Sequence, residues 1–130
     1  GACRPANCRC RPAKPARTTA YAYRPATNRW RRLPPLEVGR SAHVAVWTGS
    51  RLIVWGGYTR GAVNAEPTKP AHGLILDPVA GRWSPMPQAP IHGRRDATAF
   101  WTGSRMLVWG GYTVGDNPTG LLDGASYRAP

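Results

Sequence analysis

Residues 47–59 read WTGSRLIVWGGYT, and residues 101–113 read WTGSRMLVWGGYT. Eleven of the thirteen positions are identical; the two exceptions are Leu52/Met106 and Ile53/Leu107. The offset is 54 residues. A second repeat runs at nearly the same period: residues 23–30 (YRPATNRW) correspond to residues 76–83 (LDPVAGRW), and Leu33-Pro34 corresponds to Met86-Pro87. The chain has six tryptophans, and all fall into repeat pairs: Trp30/Trp83, Trp47/Trp101 and Trp55/Trp109. A unit that reuses its largest side chains at fixed places reuses one packing solution. From this equivalence, Trp55→Ala and Trp109→Ala are both expected to be strongly destabilising if the rings are buried.

The unit reads as strands. Residues 42–48 (AHVAVWT) are rich in Val, Ala and Trp, and residues 51–55 (RLIVW) are apolar on both strand faces. Gly49-Ser50 between them is a two-residue hairpin signal, because Gly accepts the positive φ of a tight turn. The same hairpin is expected for 96–102 and 105–109 around Gly103-Ser104. A strand that is apolar on both faces needs cover on both, which a sheet between two neighbouring sheets receives. Gly56-Gly57 and Gly110-Gly111 are expected to end the second strands with a bend or a close backbone approach. Further strands are expected at 73–77 and 82–86, with Asp77-Pro78 starting the turn, and equivalently at 20–24 and 29–33. Each unit is thus four short antiparallel strands in about 54 residues, the size and content of one propeller blade. Gly (15) and Pro (14) make up over a fifth of the 130 residues, leaving no uninterrupted amphipathic stretch for a helix.

These marks resemble the kelch repeat of bacterial galactose-oxidase-like propellers. The family pattern is a double glycine after the second strand, a Tyr beside it and a Trp further on. Here Gly56-Gly57, Tyr58 and Trp83 match it, and Gly110-Gly111 with Tyr112 match it without a following Trp. The resemblance spans about residues 20–130. It implies an all-β fold of four-stranded antiparallel blades forming a partial propeller. Residues 21–36 would be the outer strands of a first blade, 37–91 a complete blade and 92–130 part of a third. Residues 1–20 form a basic Ala/Arg/Pro/Cys-biased tail, read as unstructured. Propellers of this family usually close with six or seven blades, so the expectation is a fragmentary reading frame or a piece that assembles with other copies through open blade edges.

The charge is informative through its distribution. Formal net charge is +12, but residues 1–32 hold nine basic residues and no acid, whereas residues 33–130 hold nine basic and six acidic ones. Polyanion binding is therefore expected only non-specifically, through the basic tail. Arg29-Trp30-Arg31-Arg32 interleaves an aromatic with cations as single-strand binders do, yet Trp30 is already explained by its repeat partner Trp83. No apolar run reaches the ~18 residues of a membrane span. No signal peptide is read at the N-terminus, and the resemblance leans localisation toward export or the cell envelope.

Cys3, Cys8 and Cys10 all precede the repeats, and His43, His72 and His92 lack ligand-like spacing, so no metal and no cofactor are expected. The galactose-oxidase class, by resemblance, implies copper held by His and Tyr with a Tyr–Cys crosslink, but no Cys lies in the repeats. No catalytic residue is assigned, and the carboxylates Glu37, Glu66, Asp77, Asp96, Asp116 and Asp123 show no acid–base spacing. The leading expectation is a binding or scaffold module, with a truncated carbohydrate-active propeller enzyme as the alternative. Binding candidates are Arg40, Arg94, Arg95, His43 and His92, near the expected loops at one end of the blades. Arg40 and Arg94 occupy matching positions; they either present guanidinium groups to a ligand or tie adjacent blades through backbone carbonyls, and repetition favours the tie. The connections 58–72 and 112–122 differ between units and are the better candidates for a protein or carbohydrate partner.

Overall fold

The computed structural model describes residues 18–37, 39–59, 72–115 and 117–130. These form eleven strands and one 3-10 turn, an all-β chain. The strands are β1 (Ala20–Arg24), β2 (Arg29–Leu33), β3 (Arg40–Ser41), β4 (Val44–Trp47), β5 (Leu52–Trp55), β6 (Tyr58–Thr59), β7 (Leu74–Asp77), β8 (Arg82–Pro85), β9 (Thr98–Trp101), β10 (Met106–Trp109) and β11 (Gly124–Tyr127).

The middle unit is a four-stranded antiparallel sheet in the order β4-β5-β7-β8. The C-terminal unit is a three-stranded sheet, β9-β10-β11, and the N-terminal one a hairpin, β1-β2. Registers repeat with the sequence: Val46 pairs with Ile53, and Phe100 with Leu107. The hairpin turns repeat as well. Gly49 and Gly103 both have φ +102, and the hydroxyls of Thr48 and Thr102 each accept from the backbone N–H three residues on. The turn between the outer strands is left-handed at Asn28 (φ 50) and at its counterpart Gly81 (φ 67). Asn and Gly are the residues that tolerate that region best. Asp77 caps its version of the turn by accepting from Val79 and Ala80; Arg24 holds the matching position and cannot, and there a 3-10 turn over Pro25–Thr27 stands instead.

The core lies between the middle and C-terminal sheets. Val44, Val46, Ile53, Trp55 and Ile75 face Met106 and Val108, with Ala97, Ala99, Trp101 and Tyr127 closing the margin. The segment joining the two sheets adds Met86, Ala89 and Ile91. All but the first residue of β5 are buried, as a strand covered on both faces requires. Trp83 Nε1 donates to the Pro34 carbonyl at 2.9 Å and fastens the hairpin's exit to the middle sheet.

The tryptophans correct the expectation of equal burial. Trp55 is 6% exposed but its partner Trp109 is 61% exposed; Trp47 is 53% and Trp30 70% exposed. Position in the repeat sets which face a ring lies on. Whether it is buried depends on a neighbouring sheet on that side: Trp55 and, at the margin, Trp101 face one, and the outward face of Trp109 does not among the described residues. The double glycines end the second strands with positive φ and a close backbone approach, as expected, and beyond them the chain pairs again. β3 pairs with β6 through Arg40–Thr59 and Ser41–Tyr58, and the bridge Arg95–Tyr112 is the counterpart of Ser41–Tyr58. The N-terminal tail through residue 17 with its three cysteines, the 60–71 part of the 58–72 connection, and Asp116 lie outside the described residues.

Candidate functional site: the glycine-pair end of the sheets

Arg40 and Arg94 lie just before the first strand of each unit, sixteen residues ahead of Gly56 and Gly110. Each side chain runs inward along its own unit. Arg40 Nη1 donates to the His72 carbonyl at 2.8 Å and lies 3.5 Å from the Gly56 carbonyl. Arg94 Nη1 donates to the Gly110 carbonyl at 3.0 Å and the Asp123 carbonyl at 3.1 Å. His72 precedes Gly73 as Asp123 precedes Gly124, so the two arginines hold equivalent carbonyls. These belong to the points where the second strand ends and the third begins. There the glycines turn the chain, and the guanidinium adds a donor to these oxygens, the Asp123 carbonyl also accepting from the Gly110 N–H at 3.0 Å.

Arg94 is the more deeply held. It is 1% exposed, its Nε donates to the His92 carbonyl at 3.0 Å, and its Nη1 meets Asp123 Oδ1 at 2.7 Å. The hydrogen bond from Arg94 holds the Asp123 carboxyl below its usual pKa. Arg40, 8% exposed, has no such acid among the described residues, and burial lowers its pKa. Arg40 Nε and Arg94 Nη2 are buried without a hydrogen-bond partner among the described residues.

Backbone bonds link the units at this same end. Gly57 N–H donates to the Arg94 carbonyl at 2.8 Å, and Asp96 N–H to the Ala42 carbonyl at 3.0 Å. A Cβ on Gly56 would lie 2.6 Å from the Arg94 carbonyl oxygen, and one on Gly111 2.6 Å from that of Arg95. These positions need glycine for close approach as well as for their positive φ. The sequence reading had each arginine side chain reach an adjacent blade. The side chains instead serve their own units, and the contact between units passes through main chain.

The remaining candidates surround this frame. His43 is exposed beside Gly57, and partial loss of water together with the Arg40 charge lowers its pKa. Arg95 is half-buried, pairs with Asp96 and lies 5.5 Å from the centre of the Tyr112 ring. Because Asp96 bonds to Ala42, the next residue to His43, the structure brings His43, Arg95, Asp96 and Tyr112 to one edge. His92 is exposed, and its carbonyl accepts from Arg94 Nε. Asp96 and Asp123 read in the sequence as unconnected acids; the signal that could have placed Asp123 was its alignment with His72 ahead of Gly124.

A second concave surface lies between β1-β2 and the middle sheet. It encloses about 830 Å³ and carries Tyr21, Tyr23, Trp30, Trp47, Arg29 and Arg31. Tyr23 and Trp30 rings are 5.0 Å apart, and Tyr23 Oη donates to Asn28 Oδ1 at 2.8 Å. Among the described residues no three His, Cys, Asp or Glu side chains are placed to hold a metal ion, and no helix is long and apolar enough to cross a membrane.

Compared with models of known protein families and with curated sequences, the chain matches none.

Proposed function

We propose that the chain is a run of kelch-type propeller blades that serves as a binding or scaffold module without catalysis of its own. The observation that carries this reading is the recurrent frame at the glycine-pair end. In two consecutive units a buried arginine holds the same two carbonyls, and main-chain bonds knit one unit to the next. Loops held this firmly are preorganised, which lowers the entropy cost of binding. The frame supports a small exposed edge with an imidazole, a guanidinium, a carboxylate and a phenol ring: His43, Arg95, Asp96 and Tyr112. Ring stacking and paired polar donors suit a carbohydrate or a short acidic peptide.

The test is amide chemical-shift mapping with neutral and acidic oligosaccharides and an acidic peptide. Shifts centred on residues 40–43, 93–96 and 112 are expected. Tight stoichiometric copper, with hydrogen peroxide produced from a sugar alcohol, would overturn the reading in favour of an oxidase of the galactose-oxidase type.

A further inference from the structure

The contact between the middle and C-terminal sheets has two sides. One is Val44, Val46, Ile53 and Trp55; the other is Ala99, Trp101, Met106 and Val108. The repeat supplies each side a second time. Shifted by 54 residues, the first side recurs as Thr98, Phe100, Leu107 and Trp109, on the outward face of the C-terminal sheet. The second side occurs earlier as Ala45, Trp47, Leu52 and Val54, on the opposite face of the middle sheet. Phe100 is 54% exposed, Trp109 61% and Trp47 53%. The chain therefore carries a second copy of each half of its own internal contact; Ala45 and Trp47 of the receiving half are exposed, whereas Val54 is already buried.

We propose that these two faces mate between copies of the chain, the C-terminal sheet of one copy seating on the middle sheet of the next. The warrant is the internal contact: the same backbone pairing and homologous side chains already pack in this arrangement within one molecule. Neither face carries a charged residue among these eight positions, so no ion is desolvated without a partner. Exposed aromatic clusters of this kind are what soluble chains cover. The hairpin β1-β2 already covers the outer part of the receiving face, where Leu33 and Leu76 are buried. The seat on offer is therefore its inner part, β4 and the start of β5, and the incoming strands are β9 and β10. The contact is smaller than the internal one and correspondingly weak. It is also head-to-tail: the surface offered differs from the surface received, so association continues until a ring closes or the concentration limits it. This rests on the contact between the two sheets and holds whether or not the repeats belong to a ring.

The experiment is sedimentation velocity on the full chain from about 5 to about 500 µM, where a small contact of this kind becomes populated. Wild type is expected to gain average mass with concentration. Trp109→Glu spoils the offered face and Trp47→Glu the receiving face, so each alone is expected to stay monomeric. Mixed, they are expected to form a one-to-one heterodimer and nothing larger, because Trp47→Glu keeps a sound offered face and Trp109→Glu a sound receiving one. Both rings are more than half exposed, and near-ultraviolet circular dichroism checks that the variants are folded. Phe100→Glu and Ala45→Glu repeat the test on the two faces should either first variant unfold. A wild type that stays monomeric throughout overturns the proposal. So do single variants that still associate, or a mixture that yields no heterodimer; these would mean a symmetric contact or a different surface.

Discussion

Ala42 and Asp96 lie 54 residues apart and share a left-handed backbone conformation, with φ +55 and +53, and the Asp96 N–H donates to the Ala42 carbonyl at 3.0 Å. Two unlike side chains occupy the same disfavoured region at the same step of the repeat. The conformation therefore follows from the unit and not from the residue. It turns the chain from the short ladder at the glycine pair into the first long strand, and it aims the Ala42 carbonyl at the next unit. Neighbouring units are thus registered through main chain, which tolerates side-chain drift between repeats.

Ala42→Gly is expected to stabilise the protein by about 0.5–1 kcal/mol. A non-glycine residue in the left-handed region costs roughly 1–2 kcal/mol, and the greater unfolded-state freedom of glycine returns part of that. Asp96→Gly is expected to gain less, since Asp accepts the conformation more readily and pairs with Arg95. Urea unfolding midpoints measure both; a lower midpoint for Ala42→Gly would contradict the assigned strain.

Arg94→Ala is expected to cost about 2–4 kcal/mol, because it removes a fully buried side chain with four hydrogen bonds and takes the donor from the His92 and Gly110 carbonyls and the Asp123 carboxylate. Arg40→Ala is expected to cost less, about 1–3 kcal/mol, with one short bond to His72 in place of four. Arg94→Lys should recover only part of the loss: one ammonium cannot occupy both the Nε and the Nη1 positions. The order Arg94→Ala, Arg94→Lys, wild type in rising urea midpoint is the expected outcome.

Much of this fold was legible because the repeat aligned two versions of one solution. The long strands, both Gly-Ser turns and the turn begun at Asp77-Pro78 follow from residue types whose backbone preferences are local. Three things were not legible. The pairing of Arg40 with Thr59 continues beyond the hairpin that Gly49-Ser50 marks, past the glycine pair where the second strand was expected to end. The reach of Arg94 to Asp123 depends on where β11 begins, which the sequence marks only by Gly124. The exposure of Trp109 depends on a neighbouring sheet, and a residue's own environment cannot be read from its repeat partner. Arg40 and Arg94 were visible as a repeated pair, but which carbonyls they meet was set by the paths of the intervening strands.

Acid should weaken the fold through Asp77 and Asp123. Asp77 is held below its usual pKa by the N–H donors of Ala80 and Val79 and by the Arg51 charge, and Asp123 by Arg94. A carboxylate whose folded pKa is depressed contributes stability in full above its unfolded value of about 3.9, and loses it as pH falls through the folded value. Asp123→Asn and Asp77→Asn are expected to lower the urea midpoint at pH 7 and to match wild type near pH 2. His43 acts in a higher window. Its folded pKa is also depressed, so the unfolded chain binds the proton more readily and stability falls as pH drops below about 6.5. His43→Gln should flatten that part of the profile.

Trp55 and Trp109 give the sharpest stability comparison, because they share sequence context, strand position and a facing glycine. Gly73 lies against the Trp55 ring and Gly124 against the Trp109 ring. Trp55→Ala removes a ring enclosed by Met86, Ala89, Ile91 and Val108 and is expected to cost about 3–5 kcal/mol. Trp109→Ala removes a ring with one bare side and is expected to cost under about 1.5 kcal/mol, measured at dilutions where the chain is monomeric. The gap should narrow as protein concentration rises, because a second copy seated on the C-terminal sheet would cover part of the Trp109 ring and add its own linkage to apparent stability. Urea midpoints for both variants and wild type at low and high protein concentration measure this. Equal costs at low concentration would mean that Trp109 is covered within one chain, and a gap that stays constant with concentration would mean that no copy covers it.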